Sequence, residues 1–173
     1  MATDKPLVSF AHGKESGPWG TKITALADIA RRCGYAVDSP DYSHSHDPRA
    51  RLQQLLEQQP QGLPLVLAGS SMGGYVSAHA CAGLQPAALF LMAPALYFDG
   101  YAEEPEQVPE LTTVVHGWRD EVVPPAAAMR FAQHNHSCLL MLDAGHSLTE
   151  QLPALGSAFE QLLQSALAMA APR

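Results

Sequence analysis

Three side chains in this sequence could together carry out acyl transfer: Ser71, Asp120 and His146. Each lies just past a short apolar run. Ser71 sits in Gly69-Ser70-Ser71-Met72-Gly73-Gly74, Asp120 in His116-Gly117-Trp118-Arg119-Asp120, and His146 in Asp143-Ala144-Gly145-His146. A serine hydroxyl is a weak nucleophile at neutral pH and needs a base to take its proton. An imidazole, titrating near pH 6.5, can take that proton and later return it to the leaving group. A carboxylate must hold the imidazole in the right tautomer and stabilise its charged form. Asp120 is the first candidate for that role. Glu121 and Asp143 compete with it, and Asp120 also reads as a cap for the helix that Pro124 and Pro125 begin. Its position three residues after Gly117 favours it over Glu121.

The segment Gly69–Gly73 fits the pattern G-x-S-x-G with Ser71 at its centre. A serine on a sharp strand-to-helix turn needs small neighbours two positions away, or their side chains collide with the turn. Read as bare punctuation, the same glycines would mark only a tight turn. As an elbow, the segment presents Ser71, leaves Ser70 as a local hydrogen bonder, and offers the Met72 N–H to an oxyanion at a helix N-terminus.

Such residues must be placed by a scaffold, and the pattern names one. Six runs, 6–12, 35–42, 63–70, 87–94, 111–117 and 138–145, read as strands. Several are nearly continuous in hydrophobicity, as strands covered on both faces are. Between them lie helical patterns. Residues 20–33 carry an apolar face closed by Gly34, and 47–59 open with Asp47 as cap and Pro48 at the first position. Further helices read over 72–83, from Pro124 to about 135, and through Leu152, Leu155, Phe159, Leu162 and Ala166. The last residues, 169–173, are expected to fray. Alternating strands and helices predict an α/β three-layer sandwich, a six-stranded mostly parallel sheet with helices on both faces, in a single domain over 1–173. Ligands of such sheets gather at the carboxyl ends of the strands, where all three candidates fall. The irregular stretch 95–110, with Tyr97, Phe98 and Tyr101, is expected to form a short cap segment.

With 173 residues, 47% hydrophobic and 16% charged, the chain can bury a core without staples. A formal charge of −7 argues against binding nucleic acid or an anionic membrane. No apolar run is long enough for a signal peptide or a membrane span, so a cytoplasmic protein is expected. Cys33, Cys81 and Cys138 have no C-x-x-C spacing and read as buried, reduced thiols. The pairs His44-x-His46 and His134-x-His136 lack further ligands at metal-site spacing, so no metal is expected. The glycine-rich turn lacks the G-K-[ST] ending of a phosphate loop.

The elbow, "HGWRDEVVP" and "AGHS", in that order and at strand ends, resemble the α/β-hydrolase superfamily, in particular its compact bacterial esterase-like members with almost no lid. The likeness runs from the "FAHG" strand end to the "AGHS" turn. It implies Ser71 as nucleophile, Asp120 as acid, His146 as base and no cofactor. It also implies that the residue after His12-Gly13, here Lys14, supplies a second oxyanion N–H. Larger members carry two more strands ahead of the "HG" strand. Only five residues precede Pro6, so six strands are expected.

The implied function is a serine hydrolase acting on a small carboxylic ester or thioester. An amidase or peptidase, or a non-catalytic binding protein on the same fold, stands as the alternative. Trp19 and Trp118 are candidates to line the acyl pocket and read equally well as packing residues. Tyr97, with Phe98 and Tyr101, is expected to form one pocket wall. His12 is expected to order its loop, and His116 to pack at its strand end.

Overall fold

The computed structural model describes residues 5–171. Strands β1 (Leu7–Ala11), β2 (Ala36–Asp38), β3 (Leu65–Ser70), β4 (Ala88–Met92), β5 (Leu111–Gly117) and β6 (Cys138–Leu142) form one sheet. Its order is β2-β1-β3-β4-β5-β6, and every neighbouring pair is parallel. Helices α1 (Thr21–Arg32), α2 (Pro48–Gln58), α3 (Met72–Leu84), α4 (Pro125–His134) and α5 (Leu152–Ala170) connect the strands and close the chain.

The two-residue period of the strands sorts their side chains into two cores. Val8, Phe10, Val66, Ala68, Ala88, Phe90 and Val115 face α1 and α5. Leu65, Leu67, Leu89, Leu91 and Val114 face α2, α3 and α4. Strands β3 and β4 are buried at every residue, which is why they read as unbroken apolar runs. Phe159 of α5 packs on Phe90 with ring centroids 4.9 Å apart and on Phe10 at 5.9 Å. Removing such a ring costs about 3–5 kcal/mol.

The helix ends follow the local chemistry. Asp47 caps α2 by accepting from the Arg49 N–H at 2.9 Å, with Pro48 behind it. Gly34, at φ +88°, ends α1, and the N–H of Tyr35 returns to the Ala30 carbonyl. Helix α5 runs to Ala170, so Met169 belongs to it; Pro172 and Arg173 lie outside the described residues.

Two expectations need correction. The second strand does not extend over 35–42 but stops at Asp38, paired with Ser9. It is an edge strand, and Pro40 brings no N–H to continue the ladder. The three thiols are not alike: Cys81 is buried and donates to the Ser77 carbonyl, Cys33 is half-buried, and Cys138 is exposed at the start of edge strand β6.

The sheet order creates the crevice the site needs. From β1 the chain leaves through α1 on one face. From the neighbouring β3 it leaves through α3 on the other. The carboxyl ends of β1 and β3 therefore flank a gap between diverging connections, the usual ligand position in an open parallel sheet.

Candidate active site

Strand β3 ends at Ser70 and α3 begins at Met72, leaving Ser71 alone to make the turn. Ser71 adopts φ +53° and ψ −117°, a conformation that costs a side-chain-bearing residue roughly 1–3 kcal/mol. Its neighbours make this possible. A Cβ on Gly69 would run into the Gly73 carbonyl, and a Cβ on Gly73 would run into the carbonyls of Ala11 and His12. The elbow is thus wedged against the end of β1, and only glycine fits at either place.

Asp120 and His146 come from the next two strand ends. Gly117 ends β5 so close to the β6 turn that a Cβ there would meet the Ala144 carbonyl. The N–H groups of Trp118 and Arg119 bond the carbonyls of Leu142 and Ala144 at 2.9 and 3.0 Å. Above these bonds, Arg119 grips Asp143 and Glu150, which takes Asp143 out of the competition for the imidazole. Glu121 is exposed and does not reach it either.

The three candidates meet in one line. His146 Nε2 lies 3.0 Å from Ser71 Oγ, and His146 Nδ1 lies 2.8 Å from Asp120 Oδ2. The other oxygen, Asp120 Oδ1, accepts from the N–H groups of Val122 and Val123 at 2.9 and 2.8 Å. Burial pushes the Asp120 carboxyl up. The hydrogen bond from His146 and those two amides outweigh the burial and hold it below the usual carboxylate range. An ionised Asp120 accepts at Oδ2, so the His146 proton sits on Nδ1 and leaves Nε2 free to receive one from Ser71.

His116 belongs to this cluster, beyond its packing role at the strand end. Its Nε2–H donates to the Val123 carbonyl at 2.9 Å and stands 3.2 Å from Asp120 Oδ2. Burial lowers its pKa and keeps it neutral, with the Val123 carbonyl and Asp120 opposing. Its position four residues before Asp120 was the available signal, but a strand-to-turn path gives no fixed spacing for such a contact.

The loop after β1 is organised by two buried groups. His12 donates from Nδ1 to the Gly13 carbonyl at 2.8 Å and accepts at Nε2 from the Tyr42 N–H at 2.9 Å, which orders the loop. Arg51 of α2, 1% exposed, sends its guanidinium to the carbonyls of His12 and Gly13 at 3.1 Å, Lys14 at 3.3 Å and Ser45 at 2.7 Å. In a trans peptide the C=O and the following N–H point opposite ways. With the Gly13 carbonyl held by Arg51, the Lys14 N–H faces away from it. Among the described residues, neither the Lys14 nor the Met72 N–H makes a hydrogen bond. Nothing in the sequence marked Arg51, which sits among Pro48, Arg49, Ala50, leucines and polar residues of an ordinary amphipathic helix.

Ser71 and His146 open onto a cleft of about 330 Å³, bordered also by Gly13, Ser16, Gly20, Lys22 and Ile23. The expected pocket residues lie elsewhere. Trp19 is 50% exposed beneath Arg31, and Trp118 is 56% exposed. Tyr97 bonds Glu104 and lies under the Arg130 guanidinium, 3.9 Å from its ring centroid. Phe98 and Tyr101 pack with it against the core of α2, α3 and α4. The 95–110 segment is therefore fastened to the opposite face of the sheet from α1, because its aromatics find apolar partners there.

Comparison with known proteins bears on the fold. Residues 7–104 match the uncharacterised protein family UPF0227. A solved Xanthomonas campestris protein of the α/β-hydrolase superfamily is 35% identical, with a TM-score of 0.83 over 94% of this chain and 99% of that one. A second protein from that organism, described as an α/β serine hydrolase without a lid, is 25% identical, with a TM-score of 0.69 over 95% of this chain and 84% of the other. Est1E from Butyrivibrio proteoclasticus, solved with ferulic acid, shares the fold at 19% identity, with a TM-score of 0.78 over 96% and 91% of the two chains. A search of curated proteins finds no match. The match over more than half the chain and the near-complete superposition on the first relative place this protein in the UPF0227 family, within the α/β-hydrolase superfamily.

Proposed function

We propose that the protein is a serine hydrolase that cleaves small carboxylic esters or thioesters through an acyl-enzyme on Ser71. The observation that carries this reading is the unbroken line Ser71 Oγ, His146, Asp120, with spacings of 3.0 and 2.8 Å. Ser71 Oγ attacks the carbonyl carbon as its proton passes to His146 Nε2. Asp120 stabilises the imidazolium that results. The carbonyl oxygen becomes an oxyanion, which the free N–H groups of Met72 and Lys14 receive at the start of α3. His146 then gives its proton to the departing alcohol or thiol, leaving the acyl-enzyme. A water molecule repeats the sequence: His146 takes its proton, the hydroxide adds, and Ser71 leaves with the proton returned. No step needs a metal or a cofactor. A lidless relative among the structural neighbours supports the same reading.

A fluorophosphonate probe followed by peptide mapping tests it. A single adduct on Ser71, abolished in Ser71→Ala and strongly slowed in His146→Ala, is expected. An adduct on Ser70, or labelling that survives Ser71→Ala, would overturn the assignment.

A further inference from the structure

The cleft beside Ser71 contains a cation that the acyl-transfer steps do not use. Lys22, in the first turn of α1, borders it together with Ser71 and His146. Among the described residues its ammonium makes no hydrogen bond and no ion pair. A surface lysine normally swings its charge into water. Lys22 is only partly exposed, and burial pulls its pKa down to about 8, with Asp120 the one opposing charge. Asp120 cannot serve as its partner, since both carboxylate oxygens are engaged by His146, Val122 and Val123. The other acid at the cleft, Glu15, is exposed and forms no ion pair with it.

A partly buried ammonium without a counter-charge is costly, and a charge-assisted hydrogen bond recovers that cost. Resting on the serine-hydrolase reading above, we propose that Lys22 is a specificity-determining residue whose partner is an anionic group of the substrate, a carboxylate or a phosphate, carried on the same molecule as the scissile ester. The cleft suits a small substituent. Its volume is about 330 Å³, and Ser16, Thr21, Ser147 and Thr149 also line it. Helix α1 begins here with no side-chain cap on its first amides, so its dipole adds to the positive field. Ile23, the remaining large side chain at the cleft, is buried in the α1 core. The substrate class this assigns is a short acyl ester or thioester bearing its own negative charge, in place of a plain fatty ester.

The test compares kcat/KM for two nitrophenyl esters of equal chain length, one ending in methyl and one in carboxylate. The wild-type protein should prefer the carboxylated ester by about tenfold or more, the size of one hydrogen bond to a charged group. The preference should appear mainly in KM. It should survive in Lys22→Arg, shrink to about one in Lys22→Met and fall below one in Lys22→Glu. Succinate and inorganic phosphate, tried as inhibitors of neutral-ester hydrolysis, identify the favoured anion by whichever competes more strongly. A wild-type ratio near one, an unchanged ratio in Lys22→Met, or inhibition by neither anion would overturn the inference. These results are separable from failure of the underlying reading, in which neither ester is cleaved or cleavage survives Ser71→Ala.

Discussion

Replacing Asp120 by asparagine puts the proposed proton path to a stringent test, because the surrounding groups dictate how the new amide must sit. Asp120 Oδ1 accepts from two main-chain donors, Val122 N–H and Val123 N–H. An asparagine oxygen must take that place. Its NH2 group then faces His146 Nδ1, 2.8 Å from the present Oδ2. An NH2 can only donate, so the imidazole must accept at Nδ1 and carry its proton on Nε2. That nitrogen points at Ser71 Oγ from 3.0 Å and can no longer take a proton from it. Turning the amide over would set its NH2 against the Val122 and Val123 N–H groups and strand the buried Val123 N–H, at about 1–3 kcal/mol. Flipped molecules are therefore a small minority. A wrong tautomer in a well-studied serine protease costs about 10⁴ in kcat, so we expect a loss of roughly 10²–10⁴ here, with KM little changed. Hydrolysis of a nitrophenyl ester, with active sites counted by fluorophosphonate, measures it. Urea unfolding provides the control: Asp120→Asn, which keeps both main-chain hydrogen bonds, should lose less stability than Asp120→Ala, which strands the Val123 amide. A loss below tenfold in Asp120→Asn, or a larger loss in Glu121→Gln, would refute the reasoning.

Arg51→Met should lower kcat by about 10–10³ while KM moves little, because the proposed oxyanion donor, the Lys14 N–H, loses its orientation once Arg51 no longer holds the Gly13 carbonyl behind it; millimolar guanidinium should restore part of the rate, and a rise in KM with kcat unchanged would count against this role. Nitrophenyl esters from two to sixteen carbons should show kcat/KM levelling off or falling beyond medium length, since the cleft holds about 330 Å³ and a chain projecting into water forgoes ~0.8 kcal/mol per methylene; a steady rise to the longest chain would show a buried channel. Acid should destabilise the fold below pH 6.5. His12 and His116 are held neutral chiefly by burial, so the unfolded chain binds more protons, and stability should drop by about 1.4 kcal/mol per pH unit for each histidine until its folded pKa is reached. Asp120, held below its ordinary value, adds stability above about pH 3.8, and this is lost as the pH falls through its folded pKa. Equal urea midpoints at pH 5 and pH 7.5 would contradict the histidine part.

How far the sequence could be read depended on the range of the interactions involved. The elbow was legible because its constraint is local. Gly69, Ser71 and Gly73 lie within one turn of chain, and steric exclusion acts directly on residue type. The order of strands and helices was legible for the same reason, since burial on two faces leaves continuous apolar runs and helical burial leaves a three- and four-residue period. Asp120 and His146 could be picked out because a parallel sheet sends all its strand ends to one edge. Their meeting with Ser71 came from the packing of Gly117 against Ala144, Asp143 was excluded by the grip of Arg119, and Glu121 by its exposed position. Residues whose work depends on a distant partner left no mark in the sequence. Arg51 lies 37 residues from the Lys14 carbonyl it holds, and it reads as an ordinary helix surface residue until α2 is docked. Trp19, Tyr97 and Trp118 showed the converse: an aromatic ring is apolar wherever it goes, so its type cannot say which surface it will cover. Lys22 became visible only through tertiary structure, because a lone ammonium in the cleft beside Ser71 is defined by the carboxylates that fail to reach it, and that is a property of the assembled fold.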